Sequence, residues 1–138
     1  MSFKKSILLL LLALITVSVT TVAKDNKKSV EVLYFKANLA CCKARACNAL
    51  QADVDSVLKK YFANENIELK VIRLTDEVNK DLVAKYNAKS QTVVIVTRKG
   101  KNETATDVSV IVQEYVKDRN REKFEEEMIK HINQALKK

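Results

Sequence analysis

Segments rich in β-forming residues alternate along this chain with segments whose apolar residues recur at helical spacing, and this alternation restricts the fold more than any other feature. Residues 30–35, Val-Glu-Val-Leu-Tyr-Phe, are typical of a largely buried strand. From Cys41 the spacing becomes helical, with one apolar stripe over about four turns. The stripe contains Cys47, Leu50, Val54, Val57, Leu58, Tyr61 and Phe62. The pattern predicts a strand that leads into a long amphipathic helix.

The remaining segments predict three more strands and further helices. Residues 67–74 and 92–97 are β-like, and the hairpin tip at 98–102 holds the only glycine and precedes a returning strand at 103–108. The helical signals are Leu82, Val83 and Tyr86, a short piece at 111–117, and one face with Phe124, Met128, Ile132, Ala135 and Leu136. The order β-α-β-α-β-β-α predicts an α/β fold, with a mixed four-stranded sheet and helices on both faces.

The first 23 residues have the features of a secretory signal peptide. Lys4 and Lys5 form a basic start, residues 7–19 are an almost unbroken apolar run, and small residues end the segment at Ala23. An apolar run of about 13 residues is too short to span a bilayer comfortably, because spanning needs roughly 20. We therefore predict cleavage after Ala23, one domain over residues 24–138, and a periplasmic or secreted location.

The chain is basic, with 25 Lys and Arg against 17 Asp and Glu and a net charge of +8. Basic and acidic residues are interspersed, as in residues 117–123, and this distribution is typical of a solvated surface. Together with the predicted export, it argues against a nucleic-acid partner. A single glycine also excludes a glycine-rich phosphate loop, and we predict no cofactor.

The three cysteines, Cys41, Cys42 and Cys47, carry the functional argument. Cys41 and Cys42 fall in the first turn of the predicted helix, where free backbone N–H groups and the helix dipole stabilise a thiolate. Lys43 and Arg45 add positive charge nearby. We therefore expect a lowered pKa at this turn, and we predict that Cys41 and Cys42 are the catalytic residues. Cys47 begins the apolar stripe, so we expect a small buried side chain there.

Helical spacing leaves no comfortable disulfide among these cysteines. Cys41 and Cys47 are about 9 Å apart along a helix axis, whereas a disulfide requires Cα atoms within about 7 Å. Cys42 and Cys47 are little closer, and a bond between adjacent Cys41 and Cys42 would be strained. A thiol metal site with His131 is an alternative, although C-C-x4-C is not a recognised zinc spacing. His131 shares the apolar face of the last helix, which favours a packed or capping histidine.

A strand that feeds a long helix opening with cysteine is the arrangement of the thioredoxin fold, and the chain resembles bacterial proteins of that fold. More narrowly, it resembles the small exported proteins known as nitrophenyl compound nitroreductase subunits of the ArsF type. The matching segments are residues 32–35, Cys41 after a five-residue gap, and residues 43–46, 87–95 and 124–132. The resemblance covers nearly all of residues 30–136, and it implies a thioredoxin-like domain with a redox role.

The chain departs from the thioredoxin-like pattern at two positions. The second cysteine of a Cys-x-x-Cys motif would fall at Ala44 or Arg45, so the usual resolving thiol is missing. The proline that usually precedes the third strand, in cis, is replaced by Ser90-Gln91-Thr92. The first change removes ordinary dithiol cycling, and the second alters the backbone that holds a substrate beside the nucleophile.

Three hypotheses follow for the function. The favoured one is a thiol–disulfide oxidoreductase without the usual resolving cysteine, which exchanges with protein or small-molecule thiols and disulfides. The second is a non-catalytic binding module, such as a subunit of a membrane-associated redox complex with a membrane redox partner. The third is a thiol metal site.

Overall fold

The computed structural model describes residues 27–38 and 41–137, and at residues 41–44 it describes the backbone alone. The predicted signal peptide lies outside the described residues. In these ranges the chain forms four strands and four α-helices, with one short 3₁₀ helix at Glu77–Asn79. The strands are β1 (Ser29–Lys36), β2 (Ile67–Arg73), β3 (Val93–Lys99) and β4 (Asn102–Asp107). The helices are α1 (Cys41–Tyr61), α2 (Lys80–Lys85), α3 (Ser109–Asp118) and α4 (Arg121–Lys137).

The predicted mixed four-stranded sheet is confirmed. Its strand order is β2-β1-β3-β4. The β1 strand pairs with β2 in parallel and with β3 in antiparallel orientation, and β3 and β4 form an antiparallel hairpin. The hairpin turn is Gly100-Lys101, in which Gly100 has a positive φ of 60°. A positive φ at the first of two turn residues is the pattern of a type II′ turn, where glycine is favoured.

The larger core lies on the face of the sheet that is covered by α1, α3 and α4. Alternate residues of β1 and β3 point to this face, because side chains alternate along a strand. The fully buried residues shared by strands and helices here include Val32, Tyr34, Val54, Val57, Val93, Val112, Met128 and Ile132. The predicted apolar stripe of α1 is buried except at Tyr61, which is 42% exposed. Tyr61 instead donates a hydrogen bond from its hydroxyl to Glu125 Oε2, at 2.5 Å.

The smaller core lies on the opposite face, beneath α2. Its buried residues are Leu33, Phe35, Ile72, Val94 and Val96, and partly buried Leu82 and Val83 of α2 pack against them. The expected helices on both faces are therefore present. Further along this face, four side chains form an alternating row, here called the charged ladder: Lys70, Glu31, Arg98 and Glu103.

The final helical region consists of two helices, as the sequence predicts, and differs from the prediction only in its bounds. The two helices, α3 and α4, are divided at Arg119, whose φ of 55° is left-handed and ends α3. Both helices are longer than the predicted segments, and β4 begins and ends one residue earlier than predicted. Among the residues described, none of the helices combines the length and apolar character that crossing a membrane requires.

Candidate functional site

Helix α1 begins at Cys41, so Cys41 and Cys42 lie in its first turn, as the sequence predicts. The helix follows β1, whose last residue is Lys36, after a short connection. The side chains of residues 41–44 lie outside the described part of the structure, so the catalytic roles of Cys41 and Cys42 stay predictions. The start of α1 follows the carboxyl end of β1, which is the end of the strands where open α/β sheets bind their ligands.

Three backbone segments meet at this end of the sheet. The N–H of Phe35 donates to the carbonyl of Thr92, and the N–H of Gln91 donates to the carbonyl of Phe35, each at 2.9 Å. The N–H of Leu74 donates to the carbonyl of Lys36 at 3.0 Å. The segment before β3 and the loop after β2 therefore both border the strand end that leads toward the cysteines.

The segment before β3 takes a conformation that the sequence did not predict. Gln91 has a φ of 69°, in the left-handed region that favours glycine. The hydroxyl of Thr92 accepts a hydrogen bond from the N–H of Lys89 at 3.0 Å, which closes the turn that carries Gln91. None of the peptide bonds in the described ranges is cis. The chain thus enters β3 through a left-handed glutamine where the resembled proteins have a cis proline.

Cys47 is buried, as predicted, and is 0% exposed. It is a free cysteine in the large core. The Tyr34 hydroxyl donates to the backbone carbonyl of Cys47 at 3.1 Å and lies 3.5 Å from its Sγ. Burial, together with this contact, raises the pKa of Tyr34. One sequence signal points to such a contact, because a buried tyrosine hydroxyl usually requires a hydrogen-bond partner.

Basic side chains surround the strand ends near the cysteine turn. Lys36 and Arg73 are register partners at the ends of β1 and β2. Lys36 Nζ donates to Gln51 Oε1 of α1 at 3.3 Å, and Arg45 is exposed one turn into the same helix. The first turn of α1 contains no acidic residue. This charge distribution favours an anionic group at the helix start.

The metal alternative depends on the side chains of Cys41 and Cys42, which lie outside the described part of the structure, so it stays a prediction. Among the side chains that are described, no three of His, Cys, Asp or Glu are grouped so that they could hold a metal ion. His131 is partly buried on α4, and its Nε2 lies 4.0 Å from Glu127 Oε2 of the same helix. Its Nδ1 is buried without a hydrogen-bond partner among the described residues. This position agrees with the predicted packed histidine.

Comparisons with known proteins add no functional information. No protein-family model matches the chain, and no curated protein has significant similarity to it. A solved structure described as "Structure of a malarial protein" is 29% identical and has a TM-score of 0.37. The alignment covers 57% of this chain and 80% of the other. A structural likeness at this score supports no inference about the fold or the chemistry.

Proposed function

We propose that this protein is an exported thioredoxin-like protein that carries out thiol–disulfide exchange at the turn formed by Cys41 and Cys42. One observation carries the proposal: α1 begins at Cys41 beside the carboxyl end of β1, where the Gln91–Thr92 segment is hydrogen-bonded to Phe35. The backbone of the Gln91–Thr92 segment is the surface on which we expect a substrate chain to bind. The resemblance to nitroreductase subunits of the ArsF type belongs to the same proposal, as does a periplasmic or secreted location.

The environment of the first turn supports a nucleophilic thiolate. Unpaired N–H groups at the start of α1 and its helix dipole favour negative charge. The absence of an acidic residue from the first turn removes the nearest source of repulsion. Exposed Arg45 adds a positive charge that also favours the thiolate.

The reaction sequence must use an external thiol for its second step. In the first step, a thiolate of the turn attacks a disulfide R–S–S–R′, forms a mixed disulfide with R, and releases R′ as a thiolate. Resolution within the chain is disfavoured, because a disulfide between adjacent Cys41 and Cys42 would be strained, Ala44 and Arg45 lack thiols, and Cys47 is buried in the core. A second thiol R″–SH then attacks the mixed disulfide, leaves R–S–S–R″, and regenerates the cysteine. The protein is therefore expected to work with a thiol donor, either a small molecule or a membrane redox partner.

A binding module is the second candidate, and the left-handed Gln91 favours it. In this conformation the segment before β3 differs from the cis proline segment that supports a substrate chain in the resembled proteins. A thioredoxin-like domain altered at both positions could bind a redox partner without exchanging disulfides itself. The two candidates differ in one measurable property, which is the rate at which the cysteine turn forms and releases mixed disulfides.

The Ala44→Cys variant tests the proposal directly. The substitution rebuilds a Cys-x-x-Cys spacing from Cys41, and side chains three residues apart on a helix are about 5–6 Å apart at Cβ. Small local shifts would bring the two sulfurs within bonding geometry. We expect the variant to reduce insulin with dithiothreitol as donor, with modest turnover, whereas the natural protein and Ala44→Ser turn over weakly or not at all.

The oxidation state of the variant decides between the two candidates. A disulfide between Cys41 and the introduced cysteine, detected by mass spectrometry of the oxidised variant, supports an exchange site at this turn. If the oxidised variant lacks that disulfide, the turn is not a thioredoxin-type site and the binding module becomes the better account. Ala44→Ser controls for the effect of a polar side chain at the same position.

A further inference from the structure

The strand β4 is an open edge of the sheet. It is the last strand in the order β2-β1-β3-β4. All six of its residues are exposed, so neither face of the strand is covered by a helix. The opposite edge is less accessible, because three residues of β2 are partly buried and Ile72 is buried. An exposed strand edge presents a row of unpaired N–H and C=O groups that can pair with another chain.

The pairing with β3 identifies the backbone groups that are free. The N–H of Val108 donates to the carbonyl of Val93, and hydrogen-bonded and non-hydrogen-bonded pairs alternate along an antiparallel ladder. Thr106, Thr104 and Asn102 therefore continue the hydrogen-bonded set with β3. It follows that Glu103, Ala105 and Asp107 direct their backbone N–H and C=O groups toward the open edge.

The usual protection of an edge strand is missing from β4. The register with β3 runs without interruption from Asp107 to Asn102, so the strand contains no bulge, and the chain has no proline. The strand contains two charged residues, Glu103 and Asp107. Asp107 Oδ1 accepts a hydrogen bond from the backbone N–H of Ser109 at 2.8 Å. Glu103 is turned onto the face of the sheet. Its carboxylate accepts hydrogen bonds from Lys85 Nζ at 2.5 Å, Tyr86 Oη at 3.1 Å and Arg98 Nε at 3.0 Å. These contacts hold the glutamate away from the edge.

We propose that two copies of this protein associate through antiparallel pairing of their β4 strands, with Thr104 on the two-fold axis, to form a continuous eight-stranded sheet. A two-fold axis perpendicular to the sheet makes each face of one copy continuous with the same face of the other. Directly opposed residues must then point to the same face. Because side chains alternate along a strand, the two residue numbers must add to an even sum. The free groups of Glu103 then pair with those of Ala105 across the axis, and the free groups of Asp107 face Lys101 of the second copy. The proposal does not depend on the chemistry of the cysteines.

Charge complementarity selects this register over its neighbours. With Thr104 opposite Thr104, Glu103 faces Ala105 and Lys101 lies opposite Asp107, which gives an opposite-charge pair at each end. A shift in one direction brings Glu103 opposite Glu103, and a shift in the other brings Glu103 opposite Asp107 twice. Like charges directly opposed destabilise a strand pair, whereas opposite charges and Thr–Thr pairs stabilise it.

Cysteine cross-linking tests the interface and its register. In a Cys41→Ser/Cys42→Ser background, three variants, Glu103→Cys, Thr104→Cys and Ala105→Cys, each place a thiol opposite itself in only one of the three registers. The Cα atoms of a non-hydrogen-bonded pair are about 4.5 Å apart, which is within disulfide range. Under mild oxidation we expect Thr104→Cys to form covalent dimers at least about tenfold faster than the other two variants. Equal or faster cross-linking of either neighbour would overturn the proposal.

Sedimentation equilibrium of the reduced natural protein measures the association itself. An interface of about six residues per strand is small, so we expect a reversible dimer at the weak end of specific association. Lys101→Glu converts both end pairs into like-charge pairs and should raise the dissociation constant by roughly tenfold. Lys99→Glu makes the same charge change at a position that faces no β4 residue of the second copy, and it should have little effect. A monomer up to about 1 mM, or equal effects of the two variants, would contradict the proposed dimer.

Discussion

The two faces of the sheet are packed to very different extents. The face covered by α1, α3 and α4 buries 17 residues in one cluster. The α2 face buries 5, and beyond them it carries the charged ladder. Helix α1 belongs entirely to the larger core, so the element that begins at the cysteines is held by most of the buried apolar surface. The position of the cysteine turn therefore depends on the large core much more than on α2.

The largest expected effect compares one truncation on each face. Phe124 is 2% exposed and stacks on Tyr115 with ring centroids 4.5 Å apart. Phe124→Ala should lower the free energy of unfolding by about 3–5 kcal/mol, because it opens a cavity in the large core. Leu82→Ala removes a partly buried side chain from α2 and should lower it by about 1 kcal/mol. Urea unfolding followed by circular dichroism measures the free energy of unfolding of both variants. Equal losses in the two variants would contradict the expected difference between the two cores.

A smaller effect is expected for Cys47, which lies in the large core near the cysteine turn. Cys47→Ala should lower the free energy of unfolding by about 1 kcal/mol, the scale of removing one buried atom of methyl size. The Tyr34 hydroxyl keeps its acceptor, because that acceptor is the backbone carbonyl of residue 47. The rate of mixed-disulfide formation at the turn should not change. A large loss of that rate in the folded variant would mean that Cys47 takes part in the chemistry.

A polar network joins α4 to α1 at the rim of the large core, and its contribution should depend on pH. Hydrogen bonds from Tyr61, Lys60 and Arg121 lower the pKa of Glu125 from 4.5 to about 2. A carboxyl group with a lowered pKa in the folded state stabilises the fold above its unfolded pKa, and this contribution is lost as the pH falls through the folded value. The natural protein should therefore be more stable than Glu125→Gln at pH 5, and the difference should shrink toward pH 2.

Urea unfolding of the two proteins at several pH values checks this prediction. A stability difference that stays constant down to about pH 2 would show that the Glu125 carboxylate is not preferentially stabilised in the fold. Glu31→Gln gives the matched test on the α2 face. Burial alone would raise the pKa of Glu31, but hydrogen bonds from Lys70 and Arg98 lower it below its usual value.

The smallest effect is expected at Gln91, which borders the site and lies outside both apolar clusters. Gln91→Gly relieves a left-handed φ of 69°, but it also gives the unfolded chain more freedom. We expect a net stabilisation of less than about 1 kcal/mol. Thermal unfolding by calorimetry measures it, with Gln91→Ala as a control that keeps the Cβ. Destabilisation by the glycine would mean that the glutamine side chain supports this segment.

The sequence predicted the elements that a periodic pattern defines. Residues 30–35 are largely buried, as predicted, because helices cover both faces of β1. The stripe from Cys47 to Phe62 is buried as predicted except at Tyr61, because burial of one helix face imposes that spacing. The start of α1 at Cys41 followed from the change of period. The prediction that Tyr61 belongs to the buried stripe was wrong. Its ring lies at the helix end, where the hydroxyl donates to Glu125 and the side chain stays 42% exposed.

The remaining features depend on contacts that leave no pattern in the sequence. Arg121 pairs with Asp53 across 68 residues, and Arg98 bonds to Glu31 across 67. Exposed charges at such separations have many alternative partners until the fold brings two of them together. The left-handed conformation of Gln91 could not be predicted from the sequence either, because a glutamine carries no local signal for a positive φ.

We predict that the thiols at the start of α1 are reactive, whereas Cys47 is unreactive because it is buried in the large core. Iodoacetamide labelling of the folded, reduced protein, followed by mass spectrometry of each cysteine, tests it most directly. The account predicts that Cys41, Cys42 or both are alkylated much faster than Cys47, and that all three react at similar rates once the protein is unfolded in urea. Equal labelling of all three cysteines in the folded protein would contradict it.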